Sequence, residues 1–102
     1  MQNDIELIAS LCGYEAQSRQ LIEEMAELTQ AINKVWRMEQ KDRLSITESI
    51  TLDAYKDNVI EEIADVQIML WQMLCLLGAQ DKIEPVIARK IDRQLERLGV
   101  DR

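Results

Sequence analysis

The stretch Val59-Ile60-Glu61-Glu62-Ile63-Ala64-Asp65-Val66-Gln67-Ile68-Met69-Leu70-Trp71-Gln72-Met73-Leu74-Cys75-Leu76-Leu77 decides how the rest of the chain is read. Within it Val59, Ile63, Val66, Leu70, Met73 and Leu77 recur in alternating steps of four and three, the apolar seam of a helix packed lengthwise against another helix. Ile68, Met69, Trp71, Cys75 and Leu76 populate other faces, and a helix that is apolar nearly all round is a buried one. Glu61, Glu62 and Asp65 are set into its first turns. Desolvating an ionised carboxylate costs several kcal/mol even after relaxation, so something positive must meet these acids.

The chain offers few such charges. It has no histidine, and its basic residues lie mostly at loops and helix ends. The other acid cluster on a strongly patterned helix is Glu23, Glu24 and Glu27, on a segment from Tyr14 to about Met38 with the seam Leu21, Met25, Leu28, Ile32 and Val35. At about 100° per residue, Glu24 falls on the edge of that seam, Glu27 further round and Glu23 on the far side. Residues three apart stand on neighbouring turns, so Glu24 with Glu27, and Glu62 with Asp65, each make a two-carboxylate jaw. Two such jaws facing each other repel unless divalent cations sit between them, which points to an all-carboxylate metal site. Mg²⁺ suits it, being held by a few carboxylates together with substrate phosphates, and Mn²⁺ fits as well. A di-iron bundle requires Glu-x-x-His motifs and is excluded by the missing histidine. The competing account is a solvated acid face, common in a chain with 19 acidic residues.

In 102 residues, read as a single domain over 1–102, an apolar share of 47% is generous and calls for a partner. The helix at 59–77 is therefore expected at the centre of a homo-oligomer. A formal charge of -7 argues against binding a nucleic-acid backbone, though not against nucleotides whose phosphates arrive with metal ions. The start, Met1 to Glu6, lacks the basic region and long apolar core of a signal peptide. The apolar run from Val66 to Leu77 is short of the about 20 residues that span a bilayer. The expected setting is cytoplasmic, with no membrane partner, and Cys12 and Cys75 are read as reduced and structural.

Taken in order, Asn3 or Asp4 caps a first helix carrying Ile5, Leu7, Ile8 and Leu11, which Gly13 ends or kinks. After the Tyr14 helix, residues 39 to 52 break the periodicity and read as a mobile connection or lid, with Ser45 and Glu48 as a capping box for one short turn and Thr51 as a second cap. A third helix runs from about Asp53 to Leu77 and stops at Gly78. The fourth begins near Asp81 to Pro85, turns Ile83, Ile87, Ile91, Leu95 and Leu98 inward, and stops at Gly99. The fold class is all-α, an antiparallel bundle of about four helices.

Leu-Ile-Glu-Glu-Met-Ala-Glu-Leu-Thr-Gln-Ala-Ile (21–32), followed by Val-Ile-Glu-Glu-Ile-Ala-Asp-Val (59–66), resembles the MazG-like nucleotide pyrophosphohydrolases of the all-α NTP pyrophosphatase superfamily, whose signature is Glu-Glu-x-x-Glu, a spacer, then Glu-x-x-Asp. The likeness covers most of the chain, including a basic last helix, although the spacer at 28–61 is longer than is usual there. The resemblance implies that Glu24, Glu27, Glu62 and Asp65 ligate Mg²⁺, and that Glu23 binds a further ion or orients the attacking water. It implies hydrolysis of a nucleoside triphosphate to the monophosphate and pyrophosphate by a homodimer or homotetramer.

Cations for the phosphates would come from Lys34 and Arg37 at the end of the second helix, or from Lys90, Arg93 and Arg97 along the last. The resemblance favours Lys90 and Arg93, against a plain role in complementing helix dipoles. Trp36 or Tyr14 could stack on a base, and Asn33 or Gln17 could hydrogen-bond one, while Gln67 and Gln72 would settle helix register or a subunit interface. The alternatives are a non-catalytic helical oligomerisation module of the same fold, or a hydrolase of another diphosphate-containing nucleotide.

Overall fold

A computed structural model describes residues 1–101, and among them there are four α-helices and no strand: α1 (Gln2–Cys12), α2 (Tyr14–Glu39), α3 (Ile46–Leu76) and α4 (Gln80–Arg97). The all-α expectation is borne out. α1 ends at Gly13, whose φ of 86° is open to glycine without strain, and α2 starts at the next residue. That corner turns α1 off the axis of α2 and onto α3, where Ala9 is buried.

α2 and α3 form a long antiparallel hairpin, and its register is visible in a series of facing pairs. Gln17 Nε2 donates to Gln72 Oε1 at 2.6 Å. Seven residues on along α2, and seven back along α3, Glu24 meets Asp65. In the neighbouring row Lys34 lies over the Tyr55 ring, and seven further each way Lys41 pairs with Glu48. A strict seven-residue repeat along two helices is the coiled-coil condition.

The inward residues of α2 are Gln17, Leu21, Glu24, Leu28, Ala31, Val35 and Met38, and those of α3 are Leu52, Tyr55, Val59, Glu62, Val66, Met69, Met73 and Leu76, all buried or half-buried. The seam keeps Leu21, Leu28, Val35, Val59, Val66 and Met73 as expected, and departs from the expected one by a single residue at the alternate positions. Met25, Ile32, Ile63, Leu70 and Leu77, expected inside, are exposed. Glu24 occupies a seam position instead of the edge, and Glu62 takes a seam position on α3.

Residues 39–52 are not an irregular lid. The capping box forms as expected, with the Glu48 backbone N–H donating to Ser45 Oγ at 3.0 Å and the Ser45 N–H donating to Glu48 Oε1 at 3.1 Å. It opens the whole of α3 and not a separate turn, because Thr51, expected as a second cap, donates its hydroxyl to the Thr47 carbonyl and stays within the helix. The connection shrinks to residues 40–45.

α4 packs only on α3 and has no buried residue; Ile87, Ile91 and Leu98, expected inward, are exposed. Its Pro85 falls inside the helix and not at its first turn. The radius of gyration is 17.9 Å, whereas a compact chain of this length measures about 13 Å.

The Gln17–Gln72 pair is the buried polar contact that sets the register, with Gln72 only 2% exposed. Replacing Gln72 by Leu leaves the Gln17 amide unpaired in the hairpin, so urea denaturation should show a loss of about 1–3 kcal/mol. The double variant Gln17→Leu, Gln72→Leu should recover most of that loss, and a double variant as unstable as the single one would exclude this role.

Candidate metal centre

The register carries the two acid motifs to the same level of the hairpin. Glu24 from α2 and Glu62 and Asp65 from α3 each present a carboxylate oxygen within 4.8 Å of the others. Glu24 and Glu62 are half-buried and Asp65 is exposed, so the cluster opens on one side to solvent. Gln20, one turn before Glu24, donates from Nε2 to Glu24 Oε1 at 2.8 Å and orients that carboxylate. The remaining oxygens, Glu24 Oε2 and Glu62 Oε2, are buried and accept no hydrogen bond. A buried charged acceptor without a partner is costly, and two of them in one carboxylate cluster are more so.

Glu27 is exposed at the rim. Its carboxyl is held above the ordinary value, first by the charge of Glu24, then by partial desolvation and by Glu62, with a shared hydrogen bond to Glu24 and the charge of Glu23 adding to the effect. Glu23 is exposed beside it. No basic side chain forms an ion pair with any of these acids among the described residues. Oxygen donors from two helices, with orphaned buried lone pairs and no protein cation, fit a hard divalent ion.

The expected substrate residues are placed differently from one another. Lys34 stands in the same row as Glu27, one heptad along α2, with its Nζ 5.8 Å from the Tyr55 ring centroid. Trp36 is on the opposite flank of the hairpin, 59% exposed, in a hollow with Ile32, Glu39, Lys56 and Ile60. Lys90 and Arg93 lie exposed on α4, which has no contact with α2. Gln17 spends its amide on Gln72 and is buried away from any base, whereas Gln72 sets register as expected. Sequence reasoning passed over Gln20 and Tyr55. The signal for Gln20 was its place one turn before Glu24, and for Tyr55 its place one heptad before Glu62.

Comparisons with protein-family models, with curated proteins and with solved structures each give no match.

In the absence of metal, the folded chain holds the Glu27 proton to higher pH than the unfolded chain does. Stability should therefore fall as pH rises from the ordinary glutamate value through the raised one, and the deficit persists above it. Urea melts in chelator across the mildly acidic range should show that fall, and Glu27→Gln should flatten it. An identical pH slope in the variant would remove Glu27 from the repelling cluster.

Proposed function

We propose that the chain is a Mg²⁺-dependent nucleoside triphosphate pyrophosphohydrolase, with Mn²⁺ as a workable substitute. The observation that supports this most is the cluster of Glu24, Glu62 and Asp65 across the two helices that carry the paired motifs, in which one oxygen each of Glu24 and Glu62 is buried and unpartnered. The likeness of those motifs to the MazG-like signature adds the reaction class.

Glu24, Glu62 and Asp65 would hold the cation, with Gln20 fixing the Glu24 carboxylate; Glu27, at the rim and outside that group of three, would join them as the resemblance implies. When bound, the cation would supply charge neutralisation on the phosphate oxygens and a more acidic water. Glu23, exposed one turn before Glu27, takes the proton as the water oxygen bonds to the α-phosphorus and the bond to the bridging oxygen breaks. The products are a nucleoside monophosphate and pyrophosphate. Lys34 meets the substrate in the same groove, and Trp36, Lys90 and Arg93 join it where assembly brings them to that groove.

The assembly is a homo-oligomer. The chain exposes 8024 Å², about 2,000 Å² more than a folded monomer of its mass, and twice that excess is in the range of an obligate interface. Its buried hydrophobic residues are only Ala9, Ala31, Val66 and Met69 among those described. Leu70 and Trp71 of α3 and Leu77 just after it instead form an open apolar hollow with Ile83 and Ile87 of α4. A chain that lacks a core of its own needs a partner that is always present, and another copy meets that condition.

With Mg²⁺ or Mn²⁺, at least one member of a panel of ribo- and deoxyribonucleoside triphosphates should yield pyrophosphate and monophosphate in equal amounts, and chelator should abolish it. Glu62→Gln should lower kcat by on the order of 100-fold or more while helicity is kept. Release that survives chelation, or full activity in that variant, would sink the assignment.

Sedimentation should show dimers or tetramers, and Leu70→Asp should give smaller species with a lower melting temperature. A stable monodisperse monomer of the native chain would contradict the assembly.

A further inference from the structure

Beyond the acid cluster, one heptad along the same row of the hairpin, lies a patch of opposite charge. Lys34, Arg37 and Lys41 follow one another on α2 in steps of three and four, and with Met38 and Tyr55 they line a surface pocket of about 350 Å³. Every charged residue lining it is positive, in a chain whose net charge is -7. Lys34 is held over the Tyr55 ring and not by a carboxylate. Arg37 has no ion-pair partner among the described residues, and Lys41 shares its charge with Glu48. The nearby acid Glu39 is turned to Lys56, in the hollow on the other flank. Complementing the dipole at the end of α2 explains one cation there. It does not explain why three converge on one pocket with an aromatic wall.

The register gives the pocket its distance. Glu27 and Glu62 face each other in the row where Lys34 and Tyr55 follow one heptad later, about 10 Å along the helix axis. A lysine or arginine side chain reaches over several ångströms of that gap.

We propose that Lys34, Arg37 and Lys41 form a phosphate-binding pocket that works without a metal ion, on the same hairpin as the acid cluster and on its side toward the loop at 40–45. Arg37 grips the phosphate through its planar fork, Lys34 and Lys41 add point charge, and Tyr55 holds Lys34 in place. The phosphate is either the far end of the nucleotide held at the acid cluster or a separate free anion. The first of these sources rests on the proposed hydrolase function, and the pocket itself does not.

The test is calorimetric titration of the full chain with inorganic pyrophosphate in the presence of chelator. The native protein should bind it. The double variant Lys34→Gln, Arg37→Gln should bind roughly tenfold more weakly or worse, while Glu62→Gln should bind it as the native chain does. Melting-temperature shifts on adding Mn²⁺, without nucleotide, should be kept in the double variant and lost in Glu62→Gln, which shows that the double variant is folded. Absence of pyrophosphate binding by the native chain, or equal binding by the double variant, overturns the pocket. Nucleotide hydrolysis then separates the sources. A KM raised roughly tenfold in the double variant assigns the phosphate to the substrate, and an unaltered KM assigns it to a free anion. Pyrophosphate binding by a native chain that hydrolyses no triphosphate leaves the pocket standing and removes the hydrolase.

Discussion

The antiparallel register of α2 and α3 is the constraint on which the rest of the molecule depends. Because side chains alternate with the helical repeat, a slip of one residue would carry Glu24 and Glu62 off the seam and separate them from Asp65. Apolar side chains of similar shape tolerate such slips; a buried amide pair does not, because each partner would be left unpaired. Gln17 and Gln72 supply that pair two turns from the acid cluster, and the aromatic and ionic contacts of Lys34 and Lys41 hold the other end. The hairpin is thus pinned on both sides of its most costly layer.

That layer is expensive for the isolated chain. Three carboxylates converge where packing would favour apolar side chains, and two of their oxygens are buried without a hydrogen bond. Folding energy has to offset this, and the hairpin alone has little to spare, with four buried hydrophobic residues among those described. A bound cation and a second copy of the chain would each relieve one half of the deficit: the ion removes carboxylate repulsion, and the copy covers Leu70, Trp71 and Leu77. Metal affinity and assembly should on this account be coupled, since both stabilise the same folded hairpin.

The helical class, the two acid motifs and the capping box at Ser45 were legible in the sequence because each rests on local spacing. The phase of the seam was not. On α2 the expected and observed seams share Leu21, Leu28 and Val35 and part at the alternate positions, where Glu24 and Ala31 turn inward and the bulkier stripe of Met25 and Ile32 turns out. Hydrophobic periodicity favours the bulkier stripe, whereas close packing of two helices selects the smaller residue, Ala31, for the inside. Nothing in a single sequence says which stripe meets the same chain and which is left open. The start of α3 was obscured for a different reason: Thr47, Ser49 and Thr51 read as loop residues, yet a hydroxyl bonded back to the preceding turn is compatible with a helix once a strong cap has begun it. The Lys34–Tyr55 contact could be seen only after the register was known.

Charge along the groove has a direction that follows from the same register. The acid layer lies nearer the Gln17 end and the cationic pocket nearer the loop at 40–45, so the field along the hairpin runs from negative to positive within about three helical turns. An anion alone is drawn to the loop end and repelled by the acid layer; an anion carrying a divalent cation is acceptable to both. A phosphate chain with a metal on one segment and free charge on the next matches both ends at once. Discrimination against uncharged ligands, and against phosphates without metal at the acid layer, then requires no specific contact to a base or sugar. On the proposed function it would arise from the charge pattern of one helix pair.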